Sequence, residues 1–288
     1  MSYINHLHHN SIARLATIVL LLLGVATANS QSPGRPRFSL ALGSAVGYGE
    51  SRDCGTSPRP YENLSIGQGV AFYVETVEWN FKGGIAISGM LNMPKVKYLL
   101  KNGSYSGYAG SFEIGLSALR RVWQNGEATW SVFVGGGLSN YTYVGYSPQY
   151  MNASFSLSDL FQPDFRFRVQ YDIPNSNTLV VMPGWLSAYA SLSLSPVGLA
   201  YRPGYSFIDN YTGGRETGDY IFTTYRVGVA WLPCVASELG VRFNLRSGNR
   251  ISLAYCWSYR SSHGTGYWTF DEARHQLMVD FVFLLKRN

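Results

Sequence analysis

The polar segment near the carboxyl end of the chain contains the residue types of an acyl-transfer site. Ser261-Ser262-His263-Gly264 is followed by Asp271-Glu272 and then His275. Acyl transfer requires a nucleophile, a base within hydrogen-bond reach and an acid that orients the base. Ser262, His263 and Asp271 are therefore the candidate catalytic residues. The same residue types are common in ordinary polar loops, and their spacing matches no lipase or deacylase signature.

A second set of candidates consists of the glutamates Glu75, Glu78 and Glu113. Two carboxylates that share one site can carry out acid–base chemistry of the kind used by aspartyl-type proteases. A glutamate that pairs with an arginine inside a protein has a structural role instead, and the sequence favours that role.

Metal and cofactor chemistry has little support in the sequence. Only His263 and His275 follow the first 28 residues, which is too few for a histidine-based metal site. Gly135-Gly136-Gly137 lies inside a strand pattern rather than between a strand and a helix, which argues against a phosphate-binding loop. We expect no metal and no cofactor.

The three cysteines, Cys54, Cys234 and Cys256, are an odd number and do not suggest a scaffold built on disulfides. Cys234 and Cys256 could pair in an oxidising compartment. Because Cys256 falls within a strand pattern, a small inward-facing residue is the favoured interpretation.

Strands are the elements that must position these residues, because apolar and polar residues alternate with a period of two. Over Phe161 to Ile173, the residues Phe165, Phe167 and Val169 share one face with both ends of the segment. Successive side chains of a strand point to opposite faces. The other face of this segment carries Gln162, Asp164, Arg166, Arg168, Gln170 and Asp172.

The charged residues of the predicted strands share the face opposite the apolar residues. These charged residues are Asp164, Arg166, Arg168, Asp172, Glu238, Arg242, Arg246 and Asp280. Paired charges are tolerable in an interior where isolated charges are costly. We expect these residues to form a network of arginines and carboxylates that fills a narrow lumen, or to line a thin aqueous channel that favours anions.

The composition places the apolar faces in lipid. Charged residues make up 14% of the chain and aromatic residues 15%, whereas a soluble domain carries about 25% charged residues. In a membrane barrel the outward face is apolar and the inward face is polar. The net charge of +6 is spread singly along the strands, which favours anionic lipid head groups or pairing inside a lumen over nucleic acid.

We predict twelve strands, with ten as the alternative. The predicted ranges are 37–48, 67–79, 84–92, 107–121, 129–144, 161–173, 178–191, 197–206, 219–232, 237–246, 250–260 and 273–285. Prolines 183, 196 and 203 interrupt the weak region 178–218, which is partly a plug or a bent strand in the ten-stranded alternative. Long segments at 49–66, 93–106, 145–160 and 261–272 are predicted outer loops, and 207–218 would fall on the short-turn side.

The first 28 residues have the pattern of a cleaved secretory signal. An apolar core over 15–25 precedes Ala26-Thr27-Ala28, which fits a small-x-small cleavage site. The predicted organisation is a signal peptide over 1–28, a short linker over 29–36 and a single barrel domain over 37–288.

The leader, the alternating strands and the final strand from Leu277 to Phe283 resemble the small outer-membrane β-barrel proteins of Gram-negative bacteria. The resemblance implies a closed antiparallel transmembrane barrel in the outer membrane. It also implies outer-membrane lipids, lipopolysaccharide and the barrel-assembly machinery as partners. Such proteins often end on an aromatic residue that the machinery reads, whereas five residues follow Phe283 here.

Three functions are compatible with this sequence. The first is a non-enzymatic outer-membrane barrel with a structural, surface-interaction or narrow-pore (porin-like) role. The second is a lipid-modifying acyl hydrolase that uses the final loop. The third is a soluble secreted barrel that carries an apolar ligand.

Overall fold

The computed structural model describes residues 36–54, 57–94, 107–147, 155–173, 186–203, 225–245, 247–263 and 269–287. These residues form ten strands. The strands are β1 (Arg37–Asp53), β2 (Ser57–Glu75), β3 (Trp79–Pro94), β4 (Gly107–Gln124), β5 (Trp130–Tyr146), β6 (Phe155–Asp172), β7 (Leu186–Pro203), β8 (Tyr225–Asn244), β9 (Arg250–Ser261) and β10 (Phe270–Arg287). None of the described residues forms a helix long and apolar enough to cross a membrane.

The sheet closes on itself as an antiparallel barrel. Each strand pairs with its neighbours in the chain, and β1 pairs with β10. A path through paired residues starts at Arg37, passes once around all strands and returns to β1 at Gly49, twelve residues further along. Such a stagger requires strands that tilt by roughly 35–45° from the barrel axis.

The prediction of twelve strands is wrong, and the alternative of ten is confirmed. The predicted pairs 178–191 with 197–206 and 219–232 with 237–246 are the single strands β7 and β8. Pro196 on β7 lies opposite two residues of β8, Leu232 and Pro233, at a shift in the register. This is a β-bulge, where a proline that cannot donate a ladder hydrogen bond is tolerated. Pro196 and Pro233 therefore lie within strands at this bulge, whereas Pro203 is the last residue of β7 and Pro183 lies outside the described residues.

Ten strands also change the position of the longest connection. The segment 204–224 joins β7 to β8 at the barrel end that holds the connections 54–56, 95–106, 147–154 and 262–269. We call this the outer end, and the end with Arg37 and Arg287 the inner end. The predicted connection 207–218 lies outside the described residues, but the strand ends that flank it, Pro203 and Tyr225, are at the outer end and not at the short-turn end.

One predicted outer loop, the segment 49–66, is largely strand. β1 continues to Asp53 and β2 begins at Ser57, so most of the segment 49–66 is paired. The strands extend beyond the lipid-facing band, where both faces carry polar residues such as Glu50 and Asn63. Because alternation disappears there, the sequence pattern ended before the strand did.

The faces of the barrel have the predicted orientation. Phe165 and Ile66 point outward and are each 68% exposed, whereas the inward Asp164 is 6% exposed. A soluble barrel has its apolar residues inside, and this arrangement is the reverse. The soluble alternative is therefore not supported.

Parts of the sequence prediction fall on residues outside the described ranges. They include the predicted signal peptide 1–28, the predicted linker up to residue 35, the beginning of the predicted strand 178–191 and Arg246.

Candidate functional site

The outer half of the lumen is crossed by a hydrogen bond between opposite walls. Tyr141 lies on β5 and Glu272 on β10, and four strands separate β5 from β10 in each direction around the barrel. The Tyr141 hydroxyl donates to Glu272 Oε2 at 2.6 Å. Both side chains are 1% exposed. This contact spans the full width of the lumen.

Two arginines complete the layer around this bond. Arg274 donates to Tyr141 at 2.9 Å and pairs with Glu272. The Arg260 guanidinium lies 4.1 Å from the centre of the Tyr141 ring and donates to Glu113 Oε2 at 2.6 Å. We call Glu113, Tyr141, Arg260, Glu272 and Arg274 the outer layer. Its two cations and two anions are mutually paired, which lowers the cost of burying them.

Aromatic and ionic contacts continue towards the outer end. The rings of Tyr143 and Phe270 lie 4.6 Å apart, and Phe270 is fully buried. Arg202 on β7 donates to Asp53 on β1 at 2.5 Å, so a second link crosses the lumen. Packed rings and paired charges thus occupy this part of the interior.

The inner half of the lumen holds a second group of charges around Tyr189. The Tyr189 hydroxyl donates to Glu238 Oε1 at 2.5 Å. The guanidinium groups of Arg242 and Arg168 lie 4.4 Å and 5.2 Å from the centre of the Tyr189 ring. Lys82 Nζ lies 5.6 Å from the ring centre of Tyr73. These residues form the inner cluster, which is held by cation–π contacts more than by direct ion pairs.

A cavity of about 340 Å³ lies between the outer layer and the inner cluster. Glycine, alanine and serine residues of β1, β2 and β3 line one side of it, with Asp280 of the adjacent β10 beside them, and Asp164 and Arg166 of β6 lie on the opposite side. Asp164 and Arg166 form a two-bonded ion pair at 2.8 and 2.7 Å. The Asp280 carboxylate packs directly against Gly43, its partner on the neighbouring strand.

The predicted inward charges occupy several separate places in the lumen. Arg166 pairs with Asp164, while Arg168, Glu238 and Arg242 meet in the inner cluster. Asp280 lines the cavity, and Asp172 accepts a hydrogen bond from Gln170 at 2.9 Å. The proposed role of these residues as one network stays a prediction.

Sequence reasoning missed most of the outer layer. Glu272 falls in the predicted loop 261–272, and Arg274 lies at the edge of the predicted last strand. Tyr141 and Tyr189 are inward residues that residue type alone does not identify, because tyrosine also fits the lipid-facing side. Their inward positions can be read from the alternation once the strand bounds are known.

The candidate catalytic residues are engaged with other partners. The Ser262 hydroxyl is buried and accepts a hydrogen bond from the Phe270 amide at 2.7 Å. Asp271 accepts from Ser261 at 2.6 Å and pairs with Arg52 at 2.7 Å. The His263 side chain is exposed. A catalytic role for these three residues stays a prediction.

The glutamates considered for protease chemistry lie apart. Glu75 is at the inner end of β2 and pairs with Arg250 at 2.8 Å. Glu113 lies midway along β4 in the outer layer, and Glu78 is in the turn between β2 and β3.

Cys54, Cys234 and Cys256 are free thiols. The described residues contain no group of three or more His, Cys, Asp or Glu side chains that could hold a metal ion.

Aromatic side chains lie on the outward face near the strand ends. At the inner end the rings of Trp130 and Tyr171 lie 4.6 Å apart, and Arg120 lies over Trp79. At the outer end Tyr108 and Trp231 are more than half exposed. Girdles of this kind mark the two membrane interfaces of a transmembrane barrel.

Comparison with known proteins agrees with this architecture. No family model and no curated protein matches the sequence. The outer-membrane protease OmpT from Escherichia coli matches in structure with a TM-score of 0.50 and 6% identity, over 88% of this chain and 98% of that chain. Neisserial surface protein A has a TM-score of 0.35 and 10% identity, over 86% and 97%. The transport unit of the autotransporter AIDA-I from Escherichia coli has a TM-score of 0.38 and 8% identity, over 88% of this chain and 91% of that chain.

At these identities the likeness to OmpT establishes the barrel fold and carries no activity with it. The closed barrel, the apolar exterior with its aromatic girdles and the polar lumen together define a transmembrane β-barrel of the outer-membrane type. The predicted outer-membrane location is consistent with each of these features.

Proposed function

We propose that this chain is a non-conducting outer-membrane barrel that acts through its outer surface, as a structural and surface-interaction protein. Outer-membrane lipids, lipopolysaccharide and the barrel-assembly machinery are its proposed partners. The observation that carries the proposal is the hydrogen bond from Tyr141 to Glu272 across the width of the lumen.

The outer layer supports a closed interior because it is buried and internally paired. Glu272 is bonded by both Tyr141 and Arg274, so an ion that passed would have to break two charge-assisted hydrogen bonds. Tyr143 and Phe270 add a packed aromatic contact on the same pair of opposite strands. A pore lining would instead leave such groups in contact with water.

The composition of the outer connections supports a surface role. The connections 95–106, 147–154 and 204–224 are rich in Tyr, Ser, Gly and Asn. These residue types are enriched in antibody binding loops, where tyrosine supplies rigid contact area and the others supply adaptable hydrogen bonds. We propose a protein partner for this surface.

Conductance in planar bilayers tests the closed lumen. The refolded full-length protein is expected to give no steady open-channel current. The double substitution Tyr141→Ala and Arg274→Ala removes the bridge and one of its cations, and it should produce resolvable channels. Tyr108→Ala serves as the control, because Tyr108 points outward and is 61% exposed.

A stable channel current from the unmodified protein would contradict the proposal and support a narrow pore. Heat-modifiable gel migration of each variant establishes that the barrel has folded before conductance is compared.

A further inference from the structure

One side chain in the middle of the lipid-facing band carries an amide group without a hydrogen-bond partner. Gln68 points outward from β2 and is exposed. It lies at the centre of a run of outward residues whose other members are Leu64, Ile66, Val70 and Phe72, all exposed. The amide is therefore surrounded on its own strand by two apolar residues on each side.

The residue opposite Gln68 is polar on one neighbouring strand and apolar on the other. On β1 the residue opposite Gln68 is Ser44, which is also outward and exposed. On β3 the opposite residue is Ile87, which is 57% exposed. Gln68 and Ser44 thus form a small polar patch in an apolar surface, and we call this pair the β1–β2 patch.

Several other polar outward groups of the described strands have partners on the barrel itself. Asn140 and Thr142 both donate to Asp159, at 2.9 and 2.7 Å. His275 shares a hydrogen bond of 2.6 Å with Tyr255. Within the described part of the chain, Gln68 makes no such contact, so its donor and its acceptor face hydrocarbon. An unpaired amide in hydrocarbon costs free energy.

We propose that the β1–β2 patch is the contact surface for a second copy of this chain. An amide group is self-complementary, because its NH2 donates and its carbonyl accepts. Copies inserted in the same direction are related by a two-fold axis along the membrane normal, and such an axis keeps each residue at its own depth. Gln68 of one copy then meets Gln68 of the other at the same depth in an isologous contact.

The surroundings of the patch suit such a contact. Ile66, Val70, Val46 and Ile87 surround Gln68 and Ser44 and are between 49% and 68% exposed. Association in lipid is driven by packing and by hydrogen bonds, because lipid chains are as apolar as these side chains. The patch supplies the hydrogen bonds and its neighbours supply the packing surface. The proposal is independent of whether the lumen conducts.

Cross-linking in vesicles tests the pairing. Ile66→Cys is made in a chain with Cys54→Ser, Cys234→Ser and Cys256→Ser, and the full-length protein is refolded into phospholipid vesicles at low protein density. Ile66 adjoins the patch, and its replacement keeps Gln68 intact. Phe165→Cys on β6 is the matched control, because both residues are 68% exposed. A disulfide-linked dimer is expected for Ile66→Cys and not for Phe165→Cys.

Removal of the amide should weaken the dimer. Gln68→Leu added to Ile66→Cys is expected to lower the association constant roughly three- to twentyfold, the effect of side-chain hydrogen bonds between membrane segments. Gln68→Asn keeps an amide and should retain part of the association. Heat-modifiable gel migration tests that each variant is folded. Gln68→Leu is expected to fold, because an apolar side chain suits a lipid-facing site.

Equal cross-linking at positions 66 and 165 would show random collision and overturn the proposal. The same conclusion follows if Gln68→Leu leaves the dimer unchanged, or if no dimer forms at any protein-to-lipid ratio. In that last case the amide contacts lipid or a different protein.

Discussion

Several buried ions in this lumen are stabilised by a charged or polar partner, on the same strand or on another one. Glu272 illustrates the arrangement: Tyr141 and Arg274 both donate to it, and Arg260 lies 3.9 Å away. A buried ion pair adds little stability compared with an apolar core of the same size. Removal of one partner is costly, however, because it leaves a charge without compensation.

This difference gives a prediction for the outer layer. Glu272→Ala leaves Arg274 without its direct carboxylate partner and should lower the free energy of unfolding by about 3–5 kcal/mol. Tyr141→Phe removes one hydroxyl and should cost about 1–3 kcal/mol, because a buried acceptor loses its donor. Denaturant unfolding of the protein in vesicles measures both values.

Tyr108→Phe is the control for these substitutions. Tyr108 points outward and is 61% exposed, so the loss of its hydroxyl should change the unfolding free energy by less than about 0.5 kcal/mol. If Glu272→Ala were as mild as this control, the outer layer would have no role in stability.

At the scale of strands, two features shape the barrel wall. Pro196 and Pro233 lie at a bulge shared by β7 and β8, beside Leu232 with a positive φ of 49°.

The second feature is glycine, which allows side chains from the next strand to pack over the backbone. A Cβ atom at Gly137 would lie 2.5 Å from the Leu116 carbonyl oxygen and 2.7 Å from Asp164 Oδ1. Glycine there permits the Asp164–Arg166 pair.

Gly137→Ala should therefore destabilise the barrel. The added methyl group meets a backbone carbonyl that cannot move aside, and such overpacking costs about 1–3 kcal/mol. The matched control is Gly89→Ala, because a Cβ atom there would have no neighbour within 4 Å. Unfolding free energies of the two variants should differ by at least about 1 kcal/mol, and equal values would show that β5 has room to relax.

At the scale of the whole molecule, the fold exchanges the usual positions of apolar and polar residues. Phe165, Ile66 and Trp231 are each more than 60% exposed, while charged side chains lie along the axis. A closed barrel satisfies every backbone hydrogen bond between strands, which is why it can stand in hydrocarbon. Lipid then takes the place that a hydrophobic core has in a soluble protein.

Depth in the membrane should set the cost of an outward charge. Phe165→Arg places a cation in the middle of the lipid-facing run on β6 and should cost about 2–4 kcal/mol, whereas Tyr108→Arg near the outer end should cost about 0–1 kcal/mol. Refolding into vesicles followed by denaturant unfolding gives both values. Similar costs at the two positions would contradict the proposed membrane span.

The sequence by itself determined the class of this protein. Alternation such as that of Phe165, Arg166, Phe167 and Arg168 assigns each residue to a face, because the period of a strand is two. Low charge and high aromatic content then assign the apolar face to lipid. These signals are local, so they need no knowledge of which strands are neighbours.

Only the tertiary structure decided the strand number and the contents of the lumen. In the sequence, a proline suggests that a strand ends. Only the pairing of β7 with β8 shows that Pro196 lies at a β-bulge within a continuous strand. Tyr141 and Glu272 are 131 positions apart, and closure of ten strands brings them face to face across the axis. Contacts between opposite walls depend on the strand number and the stagger, which local alternation does not specify.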